Sequence, residues 1–443
     1  MKKPFLLFAI IHLACFAKAQ EIEGKIESLI NSYSEIYRFN GVVLVSKNGK
    51  ILFEKGFGYR DIKNKVPNMP NTIYQIGSMT KQFTAVVILK LAEQNKLTLQ
   101  DRLSKYFPDY PRGNEITIEH LLTHTSGIYE YFRNTQYNNR DIKKPLSKEE
   151  RMLFFRDKPL DFDPGTKFSY CNSGYELLGL IIEQLTYKPY ELVVREYILN
   201  PLKMIHTGYD FIWLKSNDKA KAYSLYSKKV TTDAIPWDST ATYSAGSLYS
   251  TAQDLYLWHK GLLSNQIISK SSLEKAYTPF RNGYGYGWWI DSLYQKRVVS
   301  HGGNVQGFTT HMIRIPEEDV CIILINNTYN HEIETIGNSI VSILFDKPYK
   351  GLKEIDLSPD LFEKYTGEYE VSSDYLVNIT REGSHLYMKI NSEPEIEIFA
   401  ENTNYFFQKD EDVRIRFFPD DKGKIIEIAV FKGLNTKRGE KKT

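Results

Sequence analysis

Three short groups of residues in this chain could do chemistry together. At Gly77-Ser78-Met79-Thr80-Lys81 a hydroxyl and an ammonium stand three positions apart, which puts both on one face of a helix. A serine is a poor nucleophile at its own pKa, and a neighbouring base or cation activates it. The positive end of a helix dipole favours the alkoxide that develops. Tyr170-Cys171-Asn172 follows the turn at Pro164-Gly165 and precedes a helix, and Val299-Ser300-His301-Gly302-Gly303 ends a strand on a histidine and two small residues. Taken alone, Ser-x-x-Lys is more often a capping serine followed by a surface lysine. The three groups in one chain are what point to an activated serine.

The elements around them can be read from pattern. Gly41 to Ser46, the dipeptide Asn48-Gly49 and Ile51 to Glu54 form a β-hairpin. Ser78 to about Asn95 reads as a buried helix, with Phe83, Val86, Val87, Leu89 and Leu91 giving a broad apolar stripe. Ile118–Thr123, Gly174–Thr186 and Ala252–Leu263 read as further helices, and Val298–Ser300 and Val320–Ile325 as strands. The expected body, residues 20–346, is therefore α+β. Residues 347–360 carry two prolines and a glycine and suit a linker. Residues 361–437 repeat short period-two runs, such as Tyr375–Ile379, Glu395–Phe399 and Val413–Phe417, which predicts a small all-β barrel or sandwich.

The 443 residues hold 57 Lys+Arg against 54 Asp+Glu, with 42% hydrophobic residues, a balance that excludes disordered and collagenous chains. Residues 1–19 read as an export signal: Lys2 and Lys3, an apolar run from Phe5 to Phe16, then Ala17-Lys18-Ala19 as a cleavage site. They hold three lysines and no acid, so the remainder is neutral and lacks the basic face that nucleic acid would demand. The expected location is periplasmic or secreted. A lipid anchor on Cys15 is disfavoured by the lead-in His12-Leu13-Ala14, and no later stretch is long and apolar enough to span a membrane. Cys171 and Cys321 alone make no disulfide framework, although an exported compartment permits one bond.

In their order and separations, the three groups resemble the serine hydrolases that include class C β-lactamases, penicillin-binding proteins, D-amino-acid-specific peptidases, D-alanyl carboxypeptidases and related esterases. His120-Leu121-Leu122-Thr123-His124-Thr125-Ser126-Gly127, Ala245 to Leu255 and Gly303 to Ile325 carry the same likeness, over about residues 25–345. The resemblance implies an antiparallel sheet flanked by helices plus an all-helical lobe, with the site between them. It implies Ser78 as the acylated nucleophile and Lys81 and Tyr170 as the groups that share its proton, Tyr170 serving as base and as acid. A tyrosine, with an ordinary pKa near 10, is a base only where cations hold it as phenolate, so Lys81 must lie close. Asn172 would donate to a substrate amide or hold Lys81, and His301, Gly302, Gly303 and Asn304 would contact substrate, Asn304 through its N–H in an oxyanion hole with that of Ser78. Neither cofactor nor metal is implied. Tyr365-Thr366-Gly367-Glu368-Tyr369 resembles the lipocalin-like barrel appended to some members, and oligomers through that barrel are one expectation.

One departure shapes the expected substrate. Family members that act on β-lactams and free peptide carboxylates usually carry Lys-Thr-Gly where this chain has His301-Gly302-Gly303. A neutral imidazole is a lesser partner for a carboxylate, which moves weight toward small amides, peptides or esters, D-amino-acid compounds included, and away from β-lactamase or D-alanyl carboxypeptidase activity. A catalytically silent sensor with the same fold is the competing class, and the presence of Ser78, Lys81, Tyr170 and Asn172 together argues against it. His120 and His124 have the spacing of zinc ligands but lack the glutamate a zincin needs, and read as buried hydrogen-bonding residues. Cys171 reads as a filler, and Trp288-Trp289, with Tyr284 and Tyr286 just before, as core or cleft wall in preference to a carbohydrate-stacking platform.

Overall fold

A computed structural model describes residues 3–228, 230–349, 351–352, 354–410, 413–432 and 435–442. They fall into two compact units, one comprising Gly41–Ala222 and Ala234–Asn327, the other Met1–Asn40, Tyr223–Asp233 and Thr328–Thr443. The expected α+β body and the all-β barrel are both present.

The first unit is built on a six-stranded antiparallel sheet: β1 (Gly41–Lys47), β2 (Lys50–Phe57), β3 (Trp289–Leu293), β4 (Lys296–Val305), β5 (Phe308–Ile315) and β6 (Val320–Asn326), in the order β2-β1-β6-β5-β4-β3. The first hairpin turns where sequence placed it, with Asn48 at φ 53° and Gly49 at φ 71° as a primed turn requires. The central strands β5 and β6 are buried along their whole length, so they read as apolar runs rather than as alternation.

Helices α2 (Thr80–Glu93), α3 (Ile118–Leu122), α4 (Asn172–Thr186), α5 (Ser239–Gly246) and α6 (Ala252–Leu263) belong to the same unit. α2 packs on α4 and α5, and α6 lies on β6. Residues Thr80 to Leu89 are all buried, as expected for this helix. Its buried Gln82 accepts through Oε1 from the indole N–H of Trp258 at 2.9 Å, and Trp258 stacks on Phe83 with ring centroids 4.5 Å apart. Trp288 is fully buried with its ring edge-on to Tyr277, whereas Trp289 is half-buried against Tyr284 and Phe168, the core and wall roles expected. Cys171 and Cys321 are free and buried.

In the second unit one unbroken helix, α1, runs Lys3–Ser34 and packs on the helix Ile333–Leu344. Ile26, Leu29, Ile30 and Tyr33 form its buried stripe. Ala17-Lys18-Ala19, read as a cleavage site, lies within this helix; Met1 and Lys2 lie outside the described residues. Eight strands, β7 (Gly367–Ser372), β8 (Tyr375–Glu382), β9 (His385–Ile390), β10 (Ile396–Ala400), β11 (Tyr405–Phe407), β12 (Val413–Pro419), β13 (Ile425–Lys432) and β14 (Asn435–Lys441), close into a barrel. Val377, Met388, Ile415, Phe417 and Ile428 are among the side chains that fill it, as suits the bore of eight strands. The Tyr365 to Tyr369 signature serves that packing: Tyr369 Oη donates to the Tyr365 carbonyl at 2.7 Å, and Tyr365 Oη to that of Thr403. No helix of the described residues is long and apolar enough to cross a membrane.

Candidate active site

Ser78 does not start α2. It sits half-buried in a tight 3-10 turn, Gly77–Met79, and the α2 cap is Met79, with no side-chain capping bond. The hydroxyl is thus free of the structural duty that a helix-start serine ordinarily performs. The turn is pinned from two sides. Ile76 N–H donates to the Leu248 carbonyl at 2.9 Å, Leu248 N–H donates to Thr80 Oγ1 at 3.1 Å, and Thr310 Oγ1 donates to the Ile76 carbonyl at 3.0 Å. Two glycines allow β4 to come this close. Gly77 has φ +54°, and a Cβ on it would stand 2.8 Å from the Asn304 nitrogen; a Cβ on Gly303 would stand 2.0 Å from the Ile76 carbonyl oxygen.

One turn into α2, the fully buried Lys81 donates to Ser78 Oγ at 3.1 Å, Asn172 Oδ1 at 2.8 Å and the Ala245 carbonyl at 2.8 Å. The Ala245 carbonyl is aimed by a break in α5, where Tyr243 adopts φ 36°, ψ −128°, a strained conformation for a bulky residue. Burial pulls the Lys81 ammonium down to about 7, partly opposed by the Glu130 carboxylate. A fair share of this amine is therefore neutral near pH 7 and able to take a proton.

Tyr170 approaches through its ring. The Lys81 nitrogen stands 4.8 Å from the ring centroid, a cation–π arrangement. The Tyr170 hydroxyl is buried and makes no hydrogen bond of ordinary geometry among the described residues. Burial holds this phenol well above its ordinary value, with Ser78 pulling the other way. The condition that Lys81 lie close is met, but the lysine faces the ring and the tyrosine remains a phenol.

The segment holding Tyr170 is laced to the one beginning at His124. Ser169 N–H donates to the His124 carbonyl at 3.0 Å, Gly165 N–H to that of Thr125 at 2.8 Å, and Cys171 Sγ to that of Ile128 at 3.2 Å. Cys171 N–H donates to His124 Nδ1 at 3.0 Å, and the His124 ring lies 4.3 Å from that of Tyr170. His120 receives the Thr117 N–H in a capping box on α3. Both histidines are thus hydrogen-bonding residues, and the described residues contain no cluster able to hold a metal.

His301, Gly302, Gly303 and Asn304 reach the site on β4, across from Ser78. His301 Nδ1 donates to the Gly302 carbonyl at 2.6 Å, which leaves Nε2 to accept from Tyr284 Oη at 2.9 Å. Burial, with the Lys81 charge, holds this imidazole down to about 3. It is neutral and both nitrogens are engaged, so it offers an anion nothing. The Asn304 side chain is exposed and accepts from Thr309 Oγ1 at 3.0 Å.

Two participants escape the sequence reading. Tyr284, engaged with His301, lies in a stretch read only as packing. Glu130 accepts the Asn172 backbone N–H, Asn172 Nδ2–H at 3.3 Å and Phe132 N–H at 3.1 Å. Its one sequence signal is that no other acid lies between Glu119 and Asp141.

The Beta-lactamase family description matches residues 26–338. Penicillin-binding protein 4* of Bacillus subtilis is 29% identical over 426 residues, covering 88% of this chain and 93% of that one. The octameric penicillin-binding protein homologue of Pyrococcus abyssi is 26% identical with a TM-score of 0.69, covering 94% of this chain and 99% of that one. The penicillin-binding protein of Bacillus halodurans is 25% identical with a TM-score of 0.65, covering 71% and 98%.

Proposed function

As this chain belongs to the Beta-lactamase family, which has serine hydrolase members, we propose that it hydrolyses small amides, peptides or esters through an acyl-enzyme on Ser78. The observation that carries this reading is the unbroken set of contacts from Ser78 Oγ through Lys81 Nζ to Asn172. Neutral Lys81 takes the Ser78 proton as Oγ attacks the substrate carbonyl. The backbone N–H groups of Ser78 and Asn304 receive the oxyanion, each such donor being worth about 10²–10³ in rate. Tyr170, whose hydroxyl is held protonated by burial, gives its proton to the leaving group and recovers it through Lys81. Water then attacks the acyl group with its proton passing the same way. This gives to Lys81 the role of base that the family likeness assigned chiefly to Tyr170.

The engaged His301 supports substrates without a free carboxylate, and D-amino-acid amides and short acyl esters head the class. Residues 1–19 are proposed to direct export to the periplasm or beyond, and the barrel to mediate homo-oligomers, as the octameric homologue invites. Sedimentation velocity at two concentrations tests the latter. For the activity, the full chain is incubated with D-amino-acid amides, chromogenic acyl esters and a chromogenic cephalosporin, followed by intact mass. Turnover with an adduct on Ser78 is expected. A chain that turns over nothing and takes no adduct is a silent binding protein.

A further inference from the structure

Glu130 is a half-buried carboxylate at the first turn of α4 that the proposed chemistry does not use. It accepts three N–H groups, two of them from Asn172. Burial raises the pKa of this carboxyl, and the three N–H groups, the Lys81 charge and the positive end of the 15-residue helix oppose that by favouring the charged form. Asn172 can turn its amide either way, and what faces it decides. With Glu130 accepting from Nδ2, the opposite atom, Oδ1, must point at Lys81, where it accepts at 2.8 Å. Reversed, the amide would set its NH2 against an ammonium and its oxygen against a carboxylate.

We propose that Glu130 is a positioning residue: it locks the Asn172 amide with Oδ1 toward Lys81 and puts a negative charge behind that lysine. The inference rests on the serine-hydrolase reading. Other groups facing Lys81 carry no competing anion. Ser78 lies on its own helical segment; Tyr170, Cys171 and Tyr175 face it from the α4 side, His124 from the loop and His301 from β4. The phenols and the thiol are held protonated by burial, and both imidazoles are held neutral. Glu130 raises the Lys81 pKa, against the larger effect of burial.

The test is the pH dependence of kcat/KM for Glu130→Gln on a chromogenic ester, beside Ser78→Ala and Glu130→Asp. The rate requires neutral Lys81, so it rises with pH. Loss of the charge moves that limb down by about one unit, and the loosened amide lowers kcat on the order of tenfold to a hundredfold with KM little changed. Glu130→Asp keeps the charge, so its limb stays at the wild-type pH while kcat falls. An unmoved limb with wild-type kcat in Glu130→Gln overturns the inference; so does wild-type kcat in Glu130→Asp, a readout available even if the Gln variant does not fold. Turnover surviving in Ser78→Ala instead overturns the hydrolase reading itself.

Discussion

Lys81 faces the ring of Tyr170, its nitrogen 4.8 Å from the centroid, and the hydroxyl of that tyrosine makes no hydrogen bond of ordinary geometry among the described residues. The lysine thereby stays bonded to Ser78 while the phenol keeps its proton. One group is suited to receive a proton, the other to give one, and the division can be tested.

Ser78→Ala removes the proposed nucleophile, at a residue whose side chain does not cap α2. Turnover of a chromogenic ester and the mass adduct should both vanish, while stability changes by less than about 0.5 kcal/mol, as for other substitutions away from structural features. Thermal melting and intact mass read the two outcomes.

Lys81 acts as base only when neutral. With its pKa at about 7, kcat/KM should be low at pH 5 and climb tenfold per unit until it flattens above pH 7. A stopped-rate pH series on a non-ionising ester locates that limb. A limb near pH 10 would mean that the lysine remains charged and another group takes the proton.

Tyr170→Phe deletes a hydroxyl that makes no hydrogen bond of ordinary geometry among the described residues, so folding should be little affected. Loss of the acid should cost about 10²–10⁴ in kcat on an amide, whose leaving group must be protonated, and far less on a nitrophenyl ester. Equal losses on both substrates would give the tyrosine another role.

Because both His301 nitrogens are engaged, a substrate gains nothing there from a free carboxylate. A short peptide ester or amide should exceed the matching C-terminal acid in kcat/KM by at least about tenfold, or roughly 1.4 kcal/mol. Preference for the acid would locate an anion anchor elsewhere in the cleft.

Gly303→Ala forces a methyl to within 2.0 Å of the Ile76 carbonyl oxygen. The strand must retreat, at a cost of about 1–3 kcal/mol, and the N–H of Asn304 moves with it. Activity should fall well beyond what the lowered melting temperature explains.

Much of this was legible in residue order. The Asn48-Gly49 hairpin, the buried helix after Ser78 and the barrel strands follow from periodicity and turn chemistry, which act over a few residues. The candidate site residues were legible only as a conjunction, since Ser78 and Asn172 are 94 positions apart. What stayed hidden depends on side-chain direction. No pattern tells that Lys81 meets a ring and not a phenolate, that Tyr284 consumes the second nitrogen of His301, or that Glu130 reaches the start of α4. Ser78 moved from helix start to preceding turn because the bonds of Ile76 and Leu248, far apart in sequence, fix that backbone.

The glycines at 77 and 303 are reciprocal: each clears room for the main chain beside the other. The nucleophile and the strand that would present the oxyanion donor are therefore gauged against one another by backbone alone. Neighbouring side chains, Phe168 and Trp289 among them, can be exchanged without resetting that distance. Such a site is free to drift among substrates while its reaction stays the same, which makes the fold a durable chassis for new specificities.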